Sequence, residues 1–278
     1  MNGTQQWLQF FVQVSCFYRE MYMLPLWKKY PNHLTNIWDS IAIFLEGYAF
    51  ERQGRRPDYF HAAVDALFYC KQKTTGNMTK TVAKEVWQHF SQLLNNQNLN
   101  RKNNPLYPQQ SPQQKCSVIE VILNSGVIRQ NLTFTTYLQN RIKQNNNIQN
   151  TYGLVKSIRG IGDKVASFYL RDLVDVMNIA PNNVQNRHLL QPVDIWVERA
   201  VRILANNQGM NKDQVAKWIV NTSGQQVNPE RVNMGIWFFC SNIVASEYRL
   251  CKALNTLNIA QQFVNEFRMR IKNICHNC

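Results

Sequence analysis

Two glycines one residue apart, Gly160-Ile161-Gly162, lie between two segments whose apolar residues recur at helical spacing. Because glycine has no Cβ, such a pair allows a sharp turn whose backbone can come close to an outside group. The flanking segments, 151–158 and 164–177, are predicted helices. We therefore expect a helical hairpin whose turn presents backbone N–H groups.

The residues after the turn favour an anion at its tip. Asp163-Lys164 opens the second helix, so the N–H donors of the turn and the positive end of the helix dipole point the same way. A phosphate fits there. Farther along, Pro192-Val193-Asp194 predicts another helix start, with Pro192 at the first helical position and Asp194 in the first turn.

This order of motifs resembles the helix-hairpin-helix DNA glycosylases, the superfamily of endonuclease III and the 8-oxoguanine DNA glycosylases. The matching pattern is a G-h-G hairpin between helices, a lysine two residues past the second glycine, and a P-V-D helix start. The resemblance implies that the hairpin, Gly160, Ile161 and Gly162, grips the phosphate backbone beside a lesion. It also implies that Lys164 is the nucleophile of members that cut the strand, and that Asp194 is the second catalytic residue.

The motifs depart from the family pattern in three places. Arg159 stands where proline is usual in LPGxG, and Trp196 stands where histidine is usual after the aspartate. The spacing from Lys164 to Asp194 is longer than in most members, which is nearer the archaeal 8-oxoguanine glycosylase branch. Arg199, in VDIWVER, resembles the arginine of the VDxHVxR pattern. The two arginines, at 159 and 199, join the residues expected to contact DNA.

The charge of the chain agrees with a nucleic-acid partner. Its 278 residues are 45% hydrophobic and carry a net charge of +14, with a pI near 9.6. A polyanion is the expected partner, and nucleic acid fits better than a membrane surface because no basic helix carries a clean lipid-facing stripe. A charge that serves solubility alone would give the same balance.

No membrane segment or export signal is predicted. No apolar run reaches about eighteen residues, the length that crosses a bilayer. Residues 1–16 lack the positive start of a secretory signal. A cytoplasmic protein is expected, and its seven cysteines are then expected to be reduced thiols.

The spacing of apolar residues predicts an all-α fold, since no alternating run indicates a sheet. The resemblance implies two helical lobes with the helix-hairpin-helix motif at the cleft between them. Residues 34–178, with the hairpin at 151–177, would form one lobe. Residues 1–33 together with 179–278 would form the other and carry the catalytic aspartate.

One stretch interrupts the helical pattern. Residues 95–114 are nearly all Asn, Gln, Pro and charged residues. Such a composition cannot bury a core, so we predict a surface insert or a disordered loop without a function of its own.

The chemistry of lysine sets what the catalytic residues must do. An ordinary lysine, with a pKa near 10.4, is neutral in roughly one molecule in several thousand at pH 7, so a nucleophilic Lys164 needs desolvation or a nearby base. Its attack on C1′ of an extruded nucleotide would displace the base and leave a Schiff base with the opened sugar. β-Elimination would then cut the strand on the 3′ side. Asp194 would take up the amine's proton and stabilise positive charge on the sugar.

Base recognition leaves several residues open. An acidic acceptor and aromatic faces suit a damaged purine, which makes Asp172, Trp237 and Phe239 candidates for the base pocket. Core packing is the alternative for both aromatic residues, and an ion pair with Arg171 is the alternative for Asp172. The long spacing between the catalytic residues and the absence of a compact cysteine cluster favour 8-oxoguanine as the excised base.

No metal cofactor is predicted. Many relatives hold an iron–sulfur cluster on four clustered cysteines, but Cys240, Cys251, Cys275 and Cys278 lack that compact spacing. The terminal CHNC sequence would need two distant ligands to bind zinc. Relatives also hold a structural monovalent cation on hairpin carbonyls, so the resemblance leaves such an ion open. The expected partner is double-stranded DNA with a damaged or modified base, bound by a monomer.

Two other functions fit the same residues. A monofunctional glycosylase would use Asp194 to activate water, while Lys164 only contacts DNA. A non-catalytic helix-hairpin-helix module would bind DNA within a repair complex through the turn at 160–162 and the net charge. Outside such a motif, a lysine or an aspartate at a helix start is ordinarily a solvated charge or a cap.

Overall fold

The computed structural model describes residues 3–50, 57–95, 99, 101–179 and 184–271. Within these residues the regular secondary structure is helical and no strand is present, so the all-α prediction is confirmed. The helices described are, in chain order, α1 (Gly3–Tyr18), α2 (Leu24–Lys29), α3 (Ile37–Phe44), α4 (Pro57–Lys73), α5 (Val82–Leu93), α6 (Val118–Asn124), α7 (Phe134–Asn145), α8 (Gln149–Lys156), α9 (Asp163–Val176), α10 (Ile195–Leu204), α11 (Lys212–Ser223), α12 (Pro229–Phe238), α13 (Glu247–Ala253) and α14 (Leu257–Ile271).

Among the described residues, π-helical turns directly follow α1, α3 and α12, and short 3-10 turns lie in the loops between helices. The π-helical turns are Arg19–Met23, Leu45–Phe50 and Phe239–Val244, and the 3-10 turns are Arg101–Asn103 and Arg187–Leu190.

The chain divides into two compact units. One consists of Met1–Pro25 together with Val174–Cys278, and the other is Leu26–Leu173. The predicted lobes had their boundaries farther along the chain, at 33/34 and 178/179. The second boundary of the structure falls inside α9, so this one helix contributes residues to both units.

Local sequence signals explain where several helices begin. Capping boxes start α6, α7 and α11, because a Ser, Thr or Asn side chain accepts from the backbone three residues later and that residue's side chain reaches back. Asn36 caps α3 through the N–H groups of Trp38 and Asp39. These caps satisfy N–H groups that have no partner within their own helix.

The core of the first unit lies between α1 and α12. These helices approach so closely that a Cβ on Gly235 would lie 1.8 Å from the carbonyl oxygen of Phe11. Phe17 stacks on Phe238 with ring centroids 5.7 Å apart. The aromatic residues Phe10, Phe11, Phe17 and Tyr18 of α1 are buried and belong to the core of this unit.

The unit Leu26–Leu173 contains a cluster of buried rings from α3, the π-helical turn that follows it, α7 and α9. Tyr169 lies 5.0 Å from Phe44 and 4.9 Å from Tyr48 between ring centroids, and it stacks on Phe134. All four rings are buried. Removing such a ring costs about 3–5 kcal/mol, so this cluster fixes the position of α9, which carries the hairpin lysine.

The Asn- and Gln-rich stretch, expected as a surface insert, is only partly on the surface. Leu99, Asn104 and Leu106 are buried, and the ring of Tyr107 packs edge-on against Trp87 at 4.9 Å. The backbone N–H of Gln109 donates to the carboxylate of Glu120. Single apolar residues in this polar stretch thus pack its described part against the rest of the unit Leu26–Leu173.

Candidate active site

The predicted hairpin is formed by α8, a turn and α9. Helix α8 ends at Lys156 and α9 begins at Asp163. Within the turn, the N–H of Ile161 donates to the carbonyl of Ile158 at 3.1 Å, and the Ile161 side chain is buried. The N–H of Ile161 is therefore used within the turn and its side chain lies in the core, so Ile161 itself offers no donor for the predicted contact to phosphate.

The two glycines of the turn have different surroundings. Gly160 has a φ of +77°, and a Cβ there would lie 2.1 Å from the carbonyl oxygen of Asn103. Gly162 is exposed, and a Cβ there would meet nothing within 4 Å. The close approach that was predicted for an outside group is thus made at Gly160 by the chain's own backbone, while Gly162 leaves open space in front of the turn.

Arg159 does not lie where a contact to DNA would need it. It is buried, and its guanidinium donates to the Gln114 side chain at 3.1 Å and to the Lys115 carbonyl at 2.7 Å. The guanidinium also lies 5.0 Å from the ring centroid of Tyr107. Burying a charged group is costly unless it is hydrogen-bonded, and these two acceptors offset that cost for Arg159. In this structure Arg159 therefore joins the hairpin to the stretch 107–115.

Lys115 completes that junction from the other side. Its Nζ donates to the carbonyls of Lys156 and Ile161, the latter at 3.2 Å. Burial and the charge of Lys156 lower the pKa of the Lys115 amine from its ordinary value, against the opposing effect of Asp163. The prediction from sequence missed this residue, because it lies far from the hairpin along the chain.

A small polar cluster surrounds the start of α9. Asp163 accepts from the hydroxyl of Tyr152 at 2.6 Å and from the ammonium of Lys156. The hydrogen bonds from Lys156 and Tyr152 lower the pKa of the Asp163 carboxyl. Both ends of the turn are therefore tied together by side chains of α8 and α9.

Lys164, the predicted nucleophile, is the second residue of α9 and is exposed. It lies two residues after Gly162, where the turn leaves open space. The first N–H groups of an α-helix have no partner within the helix and carry its positive end. The predicted phosphate contact and the predicted nucleophile are therefore neighbours on one exposed turn.

Asp194 is the N-cap of α10 and not a residue of its first turn. Its Oδ1 accepts from the N–H groups of Trp196 and Val197 at 3.0 and 3.1 Å. Its Oδ2 accepts from the indole Nε1 of Trp237 at 2.9 Å. Helix α10 begins at Ile195, so Pro192 precedes the helix instead of opening it. The half-buried carboxylate is held in one orientation by donors on both oxygens.

One face of α12 holds the segment that leads to Asp194. Glu230 accepts a bidentate pair of hydrogen bonds from Arg187, at 2.9 and 2.7 Å, and both residues are buried. Asn233 donates to the carbonyl of Pro192 at 3.2 Å. Asn233 and Trp237 follow Glu230 by three and seven residues, so all three lie on one stripe of the helix. The spacing of three and four residues is a sequence signal that could have indicated this shared face.

The three candidates for a base pocket have other roles in the structure. Asp172 is fully buried, pairs with Arg171 at 2.8 Å and accepts from the Tyr48 hydroxyl at 3.0 Å, so the alternative of an ion pair applies. Phe239 is also fully buried, with Phe10 edge-on at 5.3 Å. Neither can line a pocket open to a base. Trp237 remains half-buried beside the Asp194 carboxylate.

Arg199 is partly exposed on α10. It pairs with Glu247 at 3.1 Å, and its guanidinium lies 6.0 Å from the ring of Trp196. An ion pair this exposed contributes little to stability and can exchange its partner. The predicted contact with DNA would require Arg199 to leave or share Glu247.

Lys164 belongs to the unit Leu26–Leu173, and Asp194 belongs to the unit that contains Val174–Cys278. The local geometry of each residue is defined within its own unit. Their convergence on one nucleotide stays a prediction.

The described residues contain no group of three or more His, Cys, Asp or Glu side chains that could hold a metal. Cys240 is buried, which raises the pKa of its thiol, and Cys251 is exposed. Cys275 and Cys278 lie outside the described residues. Among the helices in the described ranges, none is long and apolar enough to cross a membrane.

Comparisons with known proteins give one relative. An uncharacterized protein of Methanocaldococcus jannaschii is 22% identical over 213 residues, which cover 71% of this chain and 48% of that protein. The chain thus spans about half the length of the curated relative it matches. No family model and no solved structure matches the chain.

Proposed function

We propose that this protein is a DNA glycosylase with abasic-site lyase activity, with the helix-hairpin-helix glycosylase fold. The observation that carries the proposal is the exposed turn at 162–164. It combines open space at Gly162, the start of a helix and the side chain of Lys164. A phosphate at this turn would bring the adjoining sugar close to a lysine.

The hairpin supplies the grip on DNA. Backbone N–H groups at a helix start bind a phosphate through hydrogen bonds and through the helix dipole. The net charge of +14 increases the attraction of the whole chain to a polyanion. Arg159 is not part of this grip, since its guanidinium is buried. Arg199 remains a proposed contact.

Lys164 is the proposed nucleophile. Its neutral amine attacks C1′ of a nucleotide extruded from the duplex, and the bond from C1′ to the base breaks with its electron pair leaving on the base. Loss of the amine proton and opening of the sugar ring leave a Schiff base between Nζ and C1′. Removal of a proton from C2′ then expels the 3′ phosphate, which cuts the strand.

Asp194 is the proposed acid–base and electrostatic partner. Its carboxylate accepts the proton released by the amine and stabilises positive charge on the sugar. The donors from α10 and Trp237 would limit its rotation and keep one geometry for the reaction. The proposed substrate is double-stranded DNA with a damaged or modified base, with 8-oxoguanine favoured, and the proposed acting form is a cytoplasmic monomer.

Trapping with borohydride tests the proposal directly. The protein is incubated with duplexes that carry 8-oxoguanine, uracil, thymine glycol or alkylated purines, with sodium borohydride present to reduce a Schiff base. We expect a covalent adduct with at least one duplex, lost in Lys164→Gln. Lys156→Gln is the control, because this lysine also lies at the hairpin but is tied to Asp163.

The other outcomes assign the two alternative functions. Release of the base without an adduct indicates a monofunctional enzyme, in which Asp194→Asn abolishes release and Lys164→Gln weakens binding. Binding to the duplex without release or adduct on any lesion indicates a non-catalytic DNA-binding module. Absence of binding to every duplex overturns the proposal.

A further inference from the structure

We propose that the ammonium of Lys115 serves as the cation of the hairpin. It binds the carbonyls of Lys156 and Ile161 in place of a monovalent ion. The inference rests on the proposed function only where it concerns DNA. As a property of the fold it stands on the contacts of Lys115 alone.

Two backbone carbonyls of the hairpin converge on the ammonium of Lys115. The carbonyl of Lys156 belongs to the last residue of α8, and that of Ile161 belongs to the turn before α9. Both accept from Nζ of Lys115. The Lys156 carbonyl is at the C-terminus of α8, where carbonyls lack a partner within the helix and carry its negative end, so a cation there is stabilising.

The direction of the Gly162 N–H follows from the planar peptide bond. In a trans peptide the carbonyl oxygen and the following N–H point in opposite directions, and the described residues contain no cis peptide. Lys115 holds the Ile161 carbonyl on one side of the turn. The N–H of Gly162 must then point to the other side, where the proposed phosphate would bind. Lys115 is thus a positioning residue for the donors of the turn.

Lys115 is itself fixed. Its carbonyl accepts from Arg159 at 2.7 Å, and the neighbouring carbonyl of Cys116 accepts from the N–H of Arg159 at 2.8 Å. An isolated parallel bridge joins Cys116 to Ile158. The segment 114–116 therefore runs beside the turn. It lies close enough for the Lys115 side chain to reach both hairpin carbonyls.

These contacts do not fit an additional monovalent ion on the same two oxygens. The ammonium is within hydrogen-bonding distance of both, and a second cation there would be repelled by it. The family's bound ion, which the resemblance left open, is therefore replaced here by a side chain. Lys115 is exposed, so an ion from solvent could reach the two carbonyls once the lysine side chain is shortened.

Thermal unfolding in different chloride salts tests this without DNA. The native protein, Lys115→Ala, Lys115→Met and the control Lys143→Ala are compared in potassium, lithium and tetramethylammonium chloride at one ionic strength. Lys143 is an exposed lysine of α7 in the same unit. We expect the unfolding temperature of Lys115→Ala to be lower than native in tetramethylammonium and to rise in potassium. Native protein, Lys115→Met and Lys143→Ala should show no specific response to potassium.

Affinity for a duplex with an abasic-site analogue is the second measurement. In tetramethylammonium we expect Lys115→Ala to bind about tenfold more weakly than native, the size of one hydrogen bond to a charged group. Potassium should restore its affinity but not that of Lys115→Met, whose side chain fills the site without a charge.

The inference is overturned by a native protein whose stability depends on potassium, a measurement that requires no variant to fold. It is also overturned if Lys115→Ala behaves as Lys143→Ala does in all three salts. If the native protein binds no duplex, the proposed function fails, while the unfolding measurement still decides whether Lys115 is the cation.

Discussion

The indole of Trp237 donates to the Asp194 carboxylate at 2.9 Å, on the oxygen that the helix cap leaves available. The sequence suggested Trp237 as a face for a flipped base, whereas the structure makes it a donor to the proposed catalytic carboxylate. A tryptophan N–H is a donor only, so an Asp194 oxygen must accept from it, and the contact favours one orientation of the carboxylate. Three predictions concern this carboxylate and the residues around it.

We predict that Trp237→Phe lowers the rate of base release while binding to duplex is unchanged. The ring is kept, but the carboxylate loses one donor and can rotate, which costs between about tenfold and a hundredfold in rate. The rate of base release is measured in single turnover, on the duplex for which borohydride traps an adduct. Trp196→Phe is the matched control, because Trp196 donates to Asp194 through its backbone N–H, while its ring lies 6.0 Å from the guanidinium of Arg199. Equal rates for the two variants would contradict the positioning role.

We predict that Asp194→Asn destabilises the fold through a clash of donors. The asparagine oxygen can still cap α10, but its amide N–H then faces the Trp237 N–H. The loss should be about 1 kcal/mol, the lower end of the cost of an unsatisfied polar group, because both side chains are half-buried. Adding Trp237→Phe should recover part of it, which a double-mutant cycle by urea unfolding would show. Additive losses in the cycle would contradict the contact.

We predict that Glu230→Gln lowers stability by about 3–5 kcal/mol, because it leaves the buried Arg187 without its counter-charge. The pair is bidentate and holds the segment before Asp194. Replacing both partners by apolar residues, as in Arg187→Met with Glu230→Leu, should cost much less. Thermal unfolding of the single and double variants makes the comparison. A double variant as unstable as Glu230→Gln would argue against the charge explanation.

We predict that alanine at Gly160 lowers stability, whereas alanine at Gly162 affects only DNA binding. Gly160→Ala places a Cβ against the Asn103 carbonyl at a positive φ, so it should lower stability by about 1–3 kcal/mol for the backbone strain alone. Gly162→Ala meets open space and should leave the unfolding temperature unchanged. It should nevertheless weaken duplex binding, because the methyl group projects where DNA would approach. Normal binding by Gly162→Ala would show that DNA does not approach this turn.

A pH dependence is predicted at Asp163. Its pKa is lowered from the usual 3.8 by hydrogen bonds from Lys156 and Tyr152. A carboxyl whose folded pKa is depressed stabilises the fold above its unfolded pKa, and this stabilisation is lost as the pH falls through the folded value. The native protein should therefore exceed Asp163→Asn in unfolding temperature at pH 7, and the difference should shrink below pH 3.8. Because Asp163 is largely exposed, the difference should be small. A difference that is constant with pH would exclude this cause.

The helices and the turn could be predicted from the sequence because both depend on neighbours along the chain. Helical spacing of apolar residues fixed α8 and α9 closely, and the glycine pair marked the turn. Asp194 was assigned one position too far into its helix, because a cap and a first-turn residue have nearly the same sequence signal. The cap became clear only from the hydrogen bonds of its oxygens.

Partners distant along the chain could not be predicted. Nothing in the residues around Arg159 indicated that Gln114 and Lys115 would bury it, and nothing around Asp172 indicated the Tyr48 hydroxyl. The polar stretch was judged by average composition, although single residues such as Leu106 decide whether a segment attaches to a core. Contacts of this kind depend on the fold and leave little local trace.

The contact between the Asn103 carbonyl and Gly160 also limits how this chain can diverge. A change of length near residue 103 would shift that carbonyl, although the stretch has the composition of a region that tolerates insertions and deletions. Natural relatives should therefore either keep the glycine and the loop together or lose both. The Methanocaldococcus jannaschii protein offers a first place to look for that joint inheritance.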